Sequence, residues 1–133
     1  MSTRIVTVEM DDSLGVVKEI FDNTRFHHIL VIDSDKLVGV ISDRDLLKVI
    51  SPNIGTAAET TRDSETLNKC AHQIMTRKLI TLKPTSSIIK AIQIFNTENI
   101  SCIPIINNKH QAVGIVSWRD ILRTISHTEF IVN

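Results

Sequence analysis

Residues 37–50 read LVGVISDRDLLKVI, and residues 112–125 read AVGIVSWRDILRTI. Both run glycine, two apolar residues, serine, one variable residue, arginine and aspartate. Leu46, Leu47 and Ile50, or Ile121, Leu122 and Ile125, then follow at helical spacing. Upstream of each, residues 5–33, IVTVEMDDSLGVVKEIFDNTRFHHILVID, match residues 79–107, LITLKPTSSIIKAIQIFNTENISCIPIIN, at a constant offset of 74. One inserted residue separates the two matches, and Met1-Ser2 stands where Met75-Thr76 stands. A unit of about 50 residues seen twice is a pseudo-twofold duplication rather than a solenoid.

Each copy reads β-α-β-β-α, an α/β (α+β) pattern. Ile5–Val8 and Leu79–Leu82 are short β-branched runs that predict strands. Asp11-Asp12-Ser13 and Thr85-Ser86-Ser87 follow as helix caps, the first with acids suited to a helix start. Leu14, Val17 and Phe21, or Ile88, Ala91 and Phe95, then recur at helical spacing. Ile29–Ile32 with Leu37–Ile41, and Ile103–Ile106 with Ala112–Val116, predict strand pairs joined by turns at 33–36 and 107–111. Phe21, Phe95 and the isoleucines read as core. Between the copies, Ser51-Pro52-Asn53-Ile54-Gly55 is a helix stop. Leu67, Cys70 or Ala71, and Ile74 predict a helix leading into the second copy. The division is therefore 1–51 for the first repeat, 52–73 for a connector, 74–126 for the second repeat and 127–133 for a tail. In that tail Phe130, Ile131 and Val132 pack either on the domain or on a partner.

Composition excludes several functions. Fifteen basic side chains balance fifteen acidic ones among 133 residues, so no overall field recruits nucleic acid or anionic lipid. No apolar run approaches the roughly 18–20 residues of a membrane span. The opening Met1-Ser2-Thr3-Arg4 lacks the apolar stretch of a signal peptide. Cys70 and Cys102 are too few for a disulfide scaffold or a thiolate-only zinc site, and a cytoplasmic address with reduced thiols is expected. Isoleucine and valine supply 32 residues against five aromatics, the composition of short buried strands.

Ser42 with Asp45, and Ser117 with Asp120, have the spacing of a capping box, with the acid also favoured by the helix dipole. Capping alone asks for neither Gly39 and Gly114 nor Arg44 and Arg119, and all four elements recur. A carboxylate at a helix start also accepts hydrogen bonds from vicinal hydroxyls, as acids do for ribose in other nucleotide folds. Both readings stand at this level.

The duplicated β-α-β-β-α unit, the G-h-h-S-x-x-D ending and Ile103-Pro104-Ile105 resemble a tandem pair of cystathionine-β-synthase (CBS) domains, the Bateman module. The resemblance runs from about residue 1 to 126, so no catalytic domain is expected outside it. It implies two pseudo-twofold related repeats packed through their sheets, and a composite cleft between them that takes AMP, ADP, ATP or S-adenosylmethionine. It implies that Asp45 and Asp120 hold ribose, and that Ser42 and Ser117 sit at the ribose or α-phosphate. Val6, Phe26 and His28 in one copy, and Ile80, Ile100 and Cys102 in the other, would frame adenine. Each site would join the aspartate of one repeat to the frame of the other. In one family member, the gamma subunit of AMP-activated protein kinase, a His-Arg pair at the place of His27-His28 contacts phosphates. Arg4, His27, Arg44, Lys78 and Arg119, with His28, are candidates for such contacts by this resemblance. Two departures make the sites unequal: Leu30 replaces the proline kept at Pro104, and Trp118 stands where Asp43 stands, crowding one mouth of the cleft.

Each candidate has a plainer alternative. His27-His28 reads equally as one inward and one solvated histidine, and adjacent strand residues diverge too far to hold a metal, so no metal is expected. The arginines read as solvated helix residues, and Cys102 as a small buried hydrophobe. No serine, histidine and aspartate fall into a nucleophile pattern, and no phosphate-loop, dinucleotide or zincin motif occurs. The expected protein is therefore a regulatory module with no catalytic residues, acting on an unknown regulated partner. The apolar triads of the terminal helices predict a homodimer. A structural or protein-interaction module without a small ligand is the alternative.

Overall fold

β-Branched residues build the first sheet of this mixed α/β chain. Thr7–Glu9 (β1), His28–Asp33 (β2) and Lys36–Ser42 (β3) lie in the order β1-β2-β3, with β1 parallel and β3 antiparallel to β2. The computed structural model describes residues 3–50 and 53–126. It comprises two compact units, Val6–Leu79 and a second running from Ile80 onward with the start of the chain. Met1-Ser2, Ser51-Pro52 and the tail residues Phe130, Ile131 and Val132 lie outside the described residues, as do the expectations placed on them. Among the described residues, no helix is long and apolar enough to cross a membrane.

In the first unit, Leu14–Asn23 forms α1 behind its cap Ser13, whose hydroxyl accepts the Val16 amide at 3.3 Å. That bond satisfies one of the donors left free at a helix start. Two more reach the connector, where the Leu14 amide donates to the Lys69 carbonyl at 2.8 Å and the Gly15 amide to the Leu67 carbonyl at 2.9 Å. Leu14 and Val17 are buried with Val8, Ile29, Val31, Ile41 and Leu46, each such side chain contributing about 1.5–3 kcal/mol. Ser34 and Asp35 take φ of 50° and 65°, the mirror-image turn whose twist matches a two-residue hairpin. β3 runs directly into α2 (Asp43–Leu47). β1 begins two residues later than expected because its register starts at Thr7 opposite Leu30.

The connector departs from its sequence reading. Its helix, α3, is Thr61–Thr66, capped by Thr60 and ending at Leu67, and Ala71–Gln73 is a single 3₁₀ turn. Leu67, Ala71 and Ile74 therefore do not share one helix. The Leu67 and Lys69 carbonyls are taken by α1, and the amides of Ala71 and His72 donate to the Asp12 and Met10 carbonyls at 2.7 and 3.1 Å. Tertiary partners hold the groups that a continuous helix would need for its own ladder. Ala71 and Met75 are buried in the first unit's core.

The second unit holds α4 (Ile88–Thr97), β4 (Cys102–Ile106), β5 (Ala112–Ser117) and α5 (Trp118–Ser126), with β4 and β5 antiparallel. The duplication extends to an irregularity. The ladder register shifts between Val31 and Ile32, and again between their counterparts Ile105 and Ile106. The expected strand Leu79–Leu82 is reduced to a bridge. The Leu82 amide donates to the Pro104 carbonyl at 3.0 Å, and the Leu82 carbonyl accepts the Ile106 amide at 2.9 Å. In the first unit the Leu30 amide also donates to the Val6 carbonyl at 2.9 Å. Pro104 replaces Leu30 and has no N–H, so the Ile80 carbonyl lacks that bond and the ladder stops. Leu82, Ala91, Phe95, Ile103, Ile105, Val116 and Ile121 form this unit's core. Not every isoleucine is core: Ile88, Ile89 and Ile125 are exposed, Ile88 and Ile125 at the ends of the helix faces that bury Ala91 and Ile121.

Candidate functional site

Both Ser-Asp pairs lie where an antiparallel strand turns into a helix, and both are complete capping boxes. The Ser42 amide donates to Asp45 Oδ2 at 2.8 Å, and the Asp45 amide to Ser42 Oγ at 3.0 Å. The Ser117 amide donates to Asp120 Oδ2 at 2.9 Å, the Asp120 amide to Ser117 Oγ at 3.3 Å, and the Ser117 hydroxyl to Asp120 Oδ2 at 3.2 Å. The box engages Oδ2 in each case, so Oδ1 of each carboxylate stands outside it. A carboxylate accepts about four hydrogen bonds, so capping and hydroxyl binding do not compete for the same atom.

Strand register brings further expected residues to these junctions. His28 lies directly opposite Ser42 across β2 and β3, and Cys102 directly opposite Ser117 across β4 and β5. Val6, Phe26, His28, Ile80, Ile100 and Cys102 are all half-buried, while Arg4, His27, Arg44, Lys78 and Arg119 are exposed. His27 is the solvated histidine of its pair, with Nδ1 2.9 Å from Asp43 Oδ2. His28 is the inward one, and burial holds its imidazole below the ordinary value of 6.5, with Asp43 and Asp45 pulling upward and His27 and Arg44 downward. Between that lowered value and 6.5 the unfolded chain binds more protons than the fold. Stability is therefore expected to fall as pH drops through this window and to be insensitive to His28 above it. Urea unfolding midpoints across about pH 5–8 check this, since His28→Gln should remove that part of the slope.

The second junction opens on a cavity of about 190 Å³, lined by Leu82, Ile88, Ala91, Ile105, Val116 and Ile121, with Ser87, Asp120 and Thr124 supplying polar atoms. Ligand sites for whole drug-sized molecules run to about 300–1,000 Å³, so this volume suits one ring of a nucleoside rather than all of it. The counterparts of its apolar lining are Val8, Leu14, Val17, Val31, Ile41 and Leu46, and in the first unit these pack with Ala71 of the connector and with Met75, just beyond it. A Cβ on Gly39 would sit 2.4 Å from Met75 Sδ and 2.7 Å from its Cγ. The glycine of the repeated motif thus has a packing duty in the first unit, which the sequence pattern did not disclose. The only hint was that Met1 stands where Met75 stands. Trp118 lies against Phe95 of α4, ring centroids 4.8 Å apart at 34°. Its counterpart Asp43 instead meets His27, so the two junctions differ in charge and shape.

A family model for the CBS domain matches residues 1–52 and 71–127. A CBS domain-containing protein of Dictyostelium discoideum is 28% identical over 124 residues, covering 92% of this chain and 85% of its own length. Among solved structures, the CBS domain pair of protein MJ0100, in complex with 5'-methylthioadenosine and S-adenosyl-L-methionine, is similar at a TM-score of 0.76 and 26% identity, over 97% of this chain and 94% of that one. Protein MJ1225 of Methanocaldococcus jannaschii shares the fold at a TM-score of 0.78 and 24% identity. That match covers 94% of this chain but 47% of the other, so this chain spans about half its length.

Proposed function

This chain belongs to the CBS domain family, and from that premise we propose that it is a regulatory module, not an enzyme, that binds an adenosine-containing ligand at its Ser-Asp junctions. The observation that carries this reading is the Asp120 carboxylate, which lines the second-unit cavity while its Oδ1 stands outside the capping box. The ligand bound by the CBS pair of MJ0100 belongs to the same chemical class. In this proposal Asp45 and Asp120 accept ribose hydroxyls, with Ser42 and Ser117 beside them. The half-buried Val6, Phe26, His28, Ile80, Ile100 and Cys102 flank the base, and the exposed Arg4, His27, Arg44, Lys78 and Arg119 meet phosphates. Binding shifts the module between states of different stability, and a regulated partner reads the difference.

Thermal shift with AMP, ADP, ATP and S-adenosylmethionine tests this, because a ligand that binds only the folded state raises the melting temperature by mass action. Native mass spectrometry of freshly purified protein identifies a co-purified molecule. The completeness of both capping boxes favours one other reading, an interaction module without a small ligand. No stabilisation by any of the four compounds, and no bound mass, would establish that alternative.

The module is proposed to act as a homodimer through α2 and α5. Leu47 and Leu122 on these helices are 68% and 60% exposed, and Ile125 is exposed as well, more apolar surface than isolated side chains require. Leu122→Glu is expected to convert a dimer to a monomer in sedimentation at tens of micromolar, with the circular dichroism spectrum unchanged. A wild-type monomer at that concentration contradicts the proposal.

A further inference from the structure

One cluster, in the first unit and away from both Ser-Asp junctions, joins three different metal-ligating side chains. Asp11 lies in the loop between β1 and α1, and Cys70 and His72 flank Ala71 at the 3₁₀ turn. One ligand atom from each lies within 4.8 Å of the others, and His72 Nε2 is 3.9 Å from Asp11 Oδ1. We propose that Asp11, Cys70 and His72 bind a single divalent cation of the zinc or cobalt class.

The donor set selects the class. A sulfur, an imidazole nitrogen and one carboxylate suit a borderline ion, whereas calcium and magnesium take oxygen ligands almost throughout. A tetrahedral ion with donors at about 2.0–2.3 Å holds them roughly 3.3–3.8 Å apart, so about an ångström of side-chain movement closes this set. The main chain is already in place. The Ala71 amide donates to the Asp12 carbonyl and the His72 amide to the Met10 carbonyl, while Ser13 and Cys70 form a bridge. Asp11 therefore sits between two residues bonded to the very turn that carries Cys70 and His72. This convergence is not inherited from the duplication, because Thr85 stands at the place of Asp11 in the second copy. Cys70 and His72 are half-buried while the Asp11 side chain is 94% exposed, leaving the fourth position open to water, as in three-ligand zinc sites. A bound ion would tie the connector to the β1-α1 loop and so hold Ala71 and Met75 in the core.

The test uses the full chain, stripped with a chelator and titrated with Co²⁺, then with Zn²⁺. One equivalent of Co²⁺ is expected to produce a thiolate-to-cobalt charge-transfer band, which Zn²⁺ removes by displacement. Cys70→Ser should abolish the band and Cys102→Ser should leave it intact. Asp11→Asn and His72→Gln should each weaken binding by at least the about 10–100-fold that loss of a ligand's outer partner costs. Asp11 is so exposed that its variant should melt like the metal-free wild type, which separates lost ligation from lost folding. The proposal is overturned by the absence of a thiolate band in wild type, by a band that survives Cys70→Ser, or by affinity that neither Asp11→Asn nor His72→Gln changes. None of these readouts involves a nucleotide, so the outcome is independent of the adenosine reading.

Discussion

Asp120→Ala is expected to weaken binding of the adenosine ligand by about ten- to hundredfold, the worth of a charge-assisted hydrogen bond of about 1.5–3 kcal/mol. Asp45→Ala is expected to have a smaller effect, because the first-unit counterparts of that cavity's apolar lining share one packed core with Ala71 and Met75. Both substitutions also remove half of a capping box, which costs about 0.5–2 kcal/mol of stability. The two roles separate with Asp120→Asn, whose amide oxygen can still accept the Ser117 amide. That variant should keep most of the stability and lose the charge-assisted part of the affinity. Calorimetric titration of AMP, ATP and S-adenosylmethionine into wild type, Asp45→Ala, Asp120→Ala and Asp120→Asn is the measurement. Equal affinity across a ligand that binds all four would mean that the motif is a cap and nothing more.

The largest loss of stability is expected from Met75→Ala, about 2–5 kcal/mol as for other large-to-small changes in a packed core. Met75 is buried among the first-unit core residues, and its side chain covers Gly39. The same contact makes Gly39→Ala an overpacking change of about 1–3 kcal/mol. The two effects should not add. With alanine at position 75 the Sδ and Cγ atoms that a Cβ at position 39 would meet are gone, so Gly39→Ala should cost less in that background. Urea unfolding of the four proteins in this cycle gives the coupling directly. Additive losses would show that Met75 and Gly39 do not constrain each other.

The candidate site was legible in unequal parts. The Ser-Asp spacing announced its capping geometry, since a helix start leaves main-chain donors that only a nearby acceptor can satisfy. Opposition of His28 to Ser42 and of Cys102 to Ser117 was not legible: counted back from the turns, the expected strand pairs would set these residues against Ile41 and Val116, and the register shifts at Val31/Ile32 and Ile105/Ile106 move each pairing on by one. The pairing of His27 with Asp43, the stacking of Trp118 on Phe95 and the convergence of Asp11, Cys70 and His72 left no local signal. Each joins residues whose separation in sequence carries no periodicity.

Local spacing was enough for the β-α-β-β-α order of the first copy and the α-β-β-α order of the second, the caps Ser13, Ser42 and Ser87, the strand pairs and the family. All of these depend on spacing within a few residues and on comparing the chain with itself. Residues whose backbone groups had more than one possible partner were settled by the fold around them. Leu67–Ile74 has helical spacing, yet its carbonyls and amides bond to the loop before α1 and to α1 itself, and the helix stops short. Leu79–Leu82 has strand composition, yet one missing N–H at Pro104 leaves it a single bridge. Gly39 repeats as Gly114 in the motif, but its reason lies with Met75, which reaches it only through the fold. Local pattern measures what a segment prefers; the partner that arrives from elsewhere in the chain decides whether the preference is met.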